Sequence, residues 1–292
     1  MSSKIVNFFH YFYLKYIQRF LILSSKPYVS GDSFKKISDH VFDAEKNIQI
    51  KDVQQNDLVF VKTEYLEIFF DEYLPYIKNY FILLSHNSSS LVVENHLKML
   101  GDKELKWFAS NLNILTLQDK RIEILPYGIK NRNSLVDGRL GILNFDIPHH
   151  DNKKNKIYSS FNILKNKERV NVFKISKESK NIDSKNYANR KNYIRNLSSY
   201  KFNLCPPGKG LDTHRFWESL IVKTIPVVKR SNFIENLNRF DIPMLIVEEW
   251  EELYDISEND LSTLYKKYAK KLNENDYLKF EFWIDLIDKS KV

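Results

Sequence analysis

Residues 200–229, YKFNLCPPGKGLDTHRFWESLIVKTIPVVK, constrain the fold most, because they read as strand, loop, helix and strand in succession. The first run ends at Cys205 in the chain's single Pro-Pro, Pro206-Pro207, and Gly208-Lys209-Gly210 follows. Asp212 or Thr213 can then cap a short helix. At about 100° per residue, Phe216, Trp217 and Leu220 share a face suited to packing on a sheet. His214, Arg215 and Glu218 share an arc on the other side. The orphan N–H groups of the helix start, with Lys209 and Arg215, favour an anion there. Ile225-Pro226-Val227-Val228 returns as a short apolar strand.

The remaining chain repeats the alternation of strand and helix. Residues 57–62, DLVFVK, 80–85, YFILLS, and 121–125 read as short buried strands. Residues 63–74 between the first two read as a helix stopped by Pro75, and 104–112 as a second helix carrying Leu105, Trp107, Phe108 and Leu112. Before them, Ser30-Gly31-Asp32-Ser33 reads as a turn with Asp32 or Ser33 capping a helix through Phe34, Ile37 and Val41. Later, 157–163 and 243–247 read as strands, and 166–180, 187–197, 261–272 and 277–287 as helices. Arg190, Lys191 and Arg195 fall on an expected solvent face. Such alternation indicates parallel α/β layers, whose ligands sit beyond the carboxyl ends of the strands. That rule groups His86-Asn87-Ser88 with Tyr127-Gly128, and His86 has the residue type of a general base. The loop-rich, polar stretch around Pro148 to Lys156 divides the chain into 1–151 and 152–292.

Composition narrows the partners. With 43% hydrophobic and 14% aromatic residues the chain can bury a core. The charge of +8 comes from 45 basic residues interspersed with 37 acidic ones, and no nucleic-acid reader motif accompanies it. One cysteine, Cys205, rules out an intrachain disulfide and fits a reducing, cytoplasmic setting and a small buried hydrophobe. His149, His150 and Asp151 are adjacent, and no distant fourth ligand is evident, so no metal is expected. Residues 1–23 are apolar but broken by Lys4, His10, Lys15, Gln18 and Arg19; this is short of the roughly 18 uninterrupted apolar residues of a membrane span. They fit either an amphipathic helix in peripheral membrane contact or a helix packed on the protein.

The string Cys205-Pro206-Pro207-Gly208, Arg215-Phe216-Trp217-Glu218-Ser219-Leu220 and Ile225-Pro226-Val227 resembles the C-terminal donor-binding motif of exostosin-like glycosyltransferases. In that motif a CP-x-G loop precedes an R-[LF]-[FW]-[DE]-[AS]-L helix and an IPV strand. Tyr200-Lys201-Phe202 is in addition similar to a string of the GDP-fucose-dependent fucosyltransferases, whose helix start Thr213-His214-Arg215-Phe216 matches in part. The resemblance covers residues 200–229.

It implies a GT-B glycosyltransferase of two Rossmann-like α/β lobes, a nucleotide-sugar donor in the C-terminal lobe, a glycan acceptor mainly in the N-terminal lobe, and no metal or other cofactor. It assigns donor-side roles to Arg215 and Glu218, to which the residue chemistry adds Lys209, Gly210, Thr213 and His214. Lys209, Arg215 and the helix start suit a leaving diphosphate, and Glu218 a ribose hydroxyl. His86 and Asp32 are the candidates for the acceptor base. Two other readings stay open: a fucosyltransferase using GDP-fucose, and a non-catalytic nucleotide-sugar binding protein. A P-loop nucleotidase is excluded, because Gly208-Lys209-Gly210 lacks the G-x-x-x-x-G-K-[ST] spacing.

Overall fold

A computed structural model describes residues 22–43, 52–132, 139–185, 189–274 and 276–292. The amphipathic stretch expected at the N-terminus lies almost entirely outside them, and no helix of the described residues is long and apolar enough to cross a membrane. Contacts divide the chain into two compact units, Met1–Gly138 with Phe280–Val292, and Arg139–Lys279. The sequence reading places the division between 151 and 152 instead, and leaves the tail with the second unit.

The first unit holds a parallel sheet of β1 (His40–Phe42), β2 (Leu58–Lys62), β3 (Ile82–His86), β4 (Lys106–Ala109) and β5 (Ile122–Ile124), in spatial order β1-β2-β3-β4-β5. All five residues of β3 are buried, as befits a central strand of a parallel sheet covered on both faces. Helices α1 (Gly31–Ile37), α2 (Leu66–Glu72) and α3 (Glu94–Leu100) connect into the sheet. The helix expected over 104–112 is a strand. Trp107 and Phe108 are adjacent and both buried, because sheet pairing with Leu83 and Leu84 sends successive side chains to opposite covered faces. The helix lies upstream and closes at Gly101, whose φ of 55° suits glycine. Val41 belongs to β1, and the cap of α1 is Ser30, whose hydroxyl accepts from the Ser33 N–H. Residues 63–74 open with a 3-10 turn and become α-helical only over α2.

The second unit alternates strictly. It runs β6 (Lys154–Ser159), α4 (Glu168–Glu178), β7 (Ile182–Ser184), α5 (Arg190–Leu197), β8 (Tyr200–Leu204), α6 (His214–Ile221), β9 (Ile225–Lys229), α7 (Asn232–Asn238), β10 (Leu245–Val247) and α8 (Glu258–Ala269). All pairings are parallel, and the spatial order is β10-β9-β8-β6-β7. The chain therefore leaves β6 toward one edge and β8 toward the other. In a doubly wound sheet that reversal opens a crevice beyond the strand ends, where ligands bind. Phe216, Trp217 and Leu220 of α6 are buried, each worth about 1.5–3 kcal/mol of apolar transfer.

The last helix, α9 (Phe280–Asp288), belongs to the first unit. Its Phe280 N–H donates to Pro27 O at 2.8 Å, and the Phe280 ring lies 5.1 Å from Phe34.

Lys153, at the start of β6, is only 4% exposed. Its Nζ donates to Val222 O at 2.6 Å and Lys223 O at 2.8 Å, the carbonyls that close α6. Burial, and then the charge of Lys223, lower its pKa from 10.5 to about 7. Between these two values the unfolded chain holds a proton that the folded one has released. This residue therefore makes stability rise with pH across that window, and opposes folding most below it. Urea midpoints measured from pH 6.5 to 9.5 should show a gain of up to a few kcal/mol that Lys153→Met lacks. Equal pH slopes in the two proteins would count against the assignment.

Candidate functional site

The second unit builds its site at the carboxyl ends of β6, β8 and β9. The Pro-Pro loop leaving β8 is held by Arg169 of α4, a side chain 4% exposed. Its guanidinium donates to Asn162 O at 2.9 Å, Pro206 O at 3.1 Å and Pro207 O at 2.7 Å. Asn166 Nδ2 adds a bond to Gly208 O at 2.8 Å, and the Gly208 N–H turns back to Gly210 O at 2.9 Å. Burial, followed by the nearby Arg215 charge, lowers the Arg169 pKa to about 10, so it stays cationic at neutral pH.

Arg215 lies across the switch point. Its Nε and Nη2 donate to Ser160 O, just past β6, at 3.0 and 2.6 Å. The guanidinium also faces the rings of Phe161 at 5.9 Å and Tyr193 at 5.8 Å. Nη1 has no partner among the described residues. The Tyr193 hydroxyl is buried and likewise unpartnered among them, and burial pushes its pKa up.

Glu218, expected to meet a ribose hydroxyl, is only 5% exposed and is already engaged. It accepts from Arg190 Nε at 3.0 Å and Nη2 at 2.6 Å, so Arg190 is drawn off its expected solvent face into a buried ion pair. Thr213 occupies the N-cap position of α6 without a side-chain bond, whereas Asp212 accepts from Trp217 Nε1 at 2.9 and 3.0 Å. Lys209 is exposed, Gly210 is buried, and His214 is half-buried. Cys205 is buried, and burial pushes its thiol up to about 12, which leaves it a thiol rather than a thiolate nucleophile.

Beside this crevice lies a cavity of about 200 Å³ between the ends of β8 and β9. Pro207, Phe216, Val228 and Phe233 are among its apolar walls, and Glu168, Asp212, Lys229 and Arg230 reach it as charged groups. The sequence reading missed Glu168 and Arg169, because nothing in a polar, lysine-rich helix distinguishes the two side chains that turn inward.

In the first unit His86 ends β3. Its Nδ1 accepts from the Asn87 N–H at 2.6 Å and its Nε2 meets Pro126 O at 3.0 Å, which makes it the neutral Nε2–H tautomer with both nitrogens engaged. Its ring stacks on Tyr127 at 5.1 Å with 4° between planes, so the grouping expected from the strand-end rule is present. Asn87, at φ 60°, donates from Nδ2 to Asp32 Oδ1 at 3.0 Å and accepts from Asn131 Nδ2 at 2.9 Å. Burial raises the Asp32 pKa, offset by the Asn87 bond and the charge of Lys35. Asn131 carries no sequence signal; it meets Asp32 and Asn87 only through the fold. Gly31 is required here, since a Cβ would lie 1.8 Å from Asn87 Oδ1 and 2.3 Å from His86 Nδ1.

Among the described residues the ligating atoms of His149, His150 and Asp151 lie within 4.8 Å of one another, on exposed side chains. They sit just before β6 and so at the amino end of the sheet, away from the edge that carries Arg215.

Doubly wound parallel sheets hold ligands beyond the carboxyl ends of their strands, and this unit carries there a cavity and the Arg215 guanidinium. Residues 149–282, most of that unit, match the family described as the RXYLT1 C-terminal domain. The match implies a glycosyltransferase. No curated protein matches the chain.

The buried pair generates its own test. Glu218→Ala leaves the Arg190 guanidinium buried without a carboxylate and should cost about 3–5 kcal/mol in urea unfolding. Arg190→Met with Glu218→Leu should recover most of that loss. If the double variant is no more stable than the single one, the pair is not what holds α5 to α6.

Proposed function

We propose that this protein is a nucleotide-sugar-dependent glycosyltransferase that binds its donor along the carboxyl edge of the second unit's sheet. The observation that carries the reading is the family match over 149–282 falling on a doubly wound sheet whose switch point bears Arg215. Strand order in that unit also supports the Rossmann-like lobe of the GT-B class.

Transfer breaks the bond between the anomeric carbon and the donor's diphosphate oxygen, and the electron pair leaves on that oxygen. A bond forms from the acceptor hydroxyl oxygen, and its proton passes to a base. Arg215 Nη1, with Lys209 on the adjoining loop, supplies fixed positive charge where the diphosphate develops its own. Arg215 is oriented for this by Ser160 O and by two aromatic rings, so little reorganisation accompanies the reaction. Glu218 acts through Arg190, as a positioning residue for α6, rather than by meeting ribose.

Of the two base candidates, Asp32 has the better chemistry. His86 spends Nδ1 on the Asn87 N–H and Nε2 on Pro126 O, whereas Asp32 keeps Oδ2 without a partner among the described residues and has a raised pKa. Asn87, Asn131 and His86 then serve to orient it.

Purified protein incubated with a panel of UDP- and GDP-sugars, GDP-fucose included, should release one nucleoside diphosphate. Arg215→Ala should weaken binding of that diphosphate about tenfold or more, with the fold intact by circular dichroism. Binding without turnover from any donor would leave a non-catalytic binding protein. Failure of both UDP and GDP to bind would remove the donor reading altogether.

A further inference from the structure

The cavity between β8 and β9 and the Arg215 crevice differ in chemistry. The two cations reaching the cavity are already compensated: Lys229 by Glu249 at 2.5 Å, and Arg230 by Glu248 at 2.6 Å and by Glu235. Glu168 adds a further negative charge close enough to raise the Lys229 pKa, behind the larger effect of Glu249. A diphosphate gains nothing from such surroundings. The walls are mostly apolar and include the rings of Phe216 and Phe233. At about 200 Å³ the cavity is smaller than the roughly 300–1,000 Å³ of whole-ligand sites, so it takes part of a ligand.

Glu168 supplies the polar contact. Its Oε1 accepts from Trp250 Nε1, which fixes the carboxylate. Its Oε2 has no partner among the described residues, and the side chain lines the cavity. A fixed carboxylate oxygen beside aromatic walls suits a group that pairs a flat apolar ring with hydroxyl donors.

We infer that this cavity holds the nucleoside of the donor, the base against the apolar walls and a ribose hydroxyl donating to Glu168 Oε2. The assignment rests on the donor reading above. It divides the donor between two places: the uncharged end between β8 and β9, and the diphosphate toward Arg215. It also makes Glu168, which lies outside the 200–229 motif, the residue that distinguishes ribose from a sugar lacking its hydroxyls.

The test is a thermodynamic cycle. UDP and GDP, and the 2′,3′-dideoxy counterpart of each, are titrated calorimetrically into wild type, Glu168→Ala and Glu168→Gln. Glu168→Gln keeps an acceptor for Trp250 and guards against a loss of fold. Wild type should bind the better ribonucleotide about tenfold more tightly than its dideoxy form, the value of one hydrogen bond to a charged group. That ratio should fall to about one in Glu168→Ala and to an intermediate value in Glu168→Gln. A wild-type ratio near one, or an equal ratio in all three proteins, overturns the assignment and leaves the donor reading standing. If neither UDP nor GDP binds wild type, both fall.

Discussion

The carboxyl edge of the second unit's sheet depends on one buried cation. Arg169 is more than nine-tenths enclosed and has no carboxylate opposite it among the described residues; its charge is met by three backbone carbonyls. Those carbonyls belong to two chain segments that diverge, one leaving β6 and one leaving β8. A doubly wound sheet has no hydrogen bonds of its own to tie such segments together, because pairing ends where the strands end. Arg169 supplies that tie. Proline at 206 and 207 suits it, since a residue with no N–H to satisfy can present its carbonyl inward while the loop stays rigid. With the loop fixed, the start of α6 is fixed, and Arg215 reaches Ser160 from a defined place. A neutral residue at 169 would leave three carbonyls buried and unpaired together.

The strands were legible because parallel sheets bury both faces and leave continuous apolar runs. DLVFVK, YFILLS and the IPVV return all became strands, whereas the short β7 and α7 of the second unit were not read at all. The failure at 104–112 has a physical cause: Leu105, Trp107, Phe108 and Leu112 satisfy helical spacing and strand alternation about equally, and only the neighbouring β3 decides between them. Strand order was not legible at all. The placement of β6 between β8 and β7 is settled by packing, not by any local pattern.

Of the site, residue types were legible and partners were not. Arg215 lay on the helix face expected for it, whereas Glu218 turned out to be engaged by a cation 28 positions earlier. The reason is general. A helical wheel tells which side chains share a face; it says nothing of the element that face meets. His86 illustrates the converse. Its position at a strand end was read correctly, and Tyr127 was grouped with it, but the hydrogen bonds that occupy both ring nitrogens, one of them to Pro126, come from loop geometry that no spacing rule contains.

The helix at 280–288 gives the two units different histories on the ribosome. The second unit is one unbroken segment, 139–279, and can complete its sheet as soon as that segment has emerged. The first unit begins earlier and must wait. Phe34 lacks its partner Phe280, and Tyr80 lacks the Ser290 carbonyl that its hydroxyl bonds at 2.9 Å, until residues 280–290 have been made. Those partners arrive only after the whole second unit has been made, so the first unit completes its packing last although it is started first.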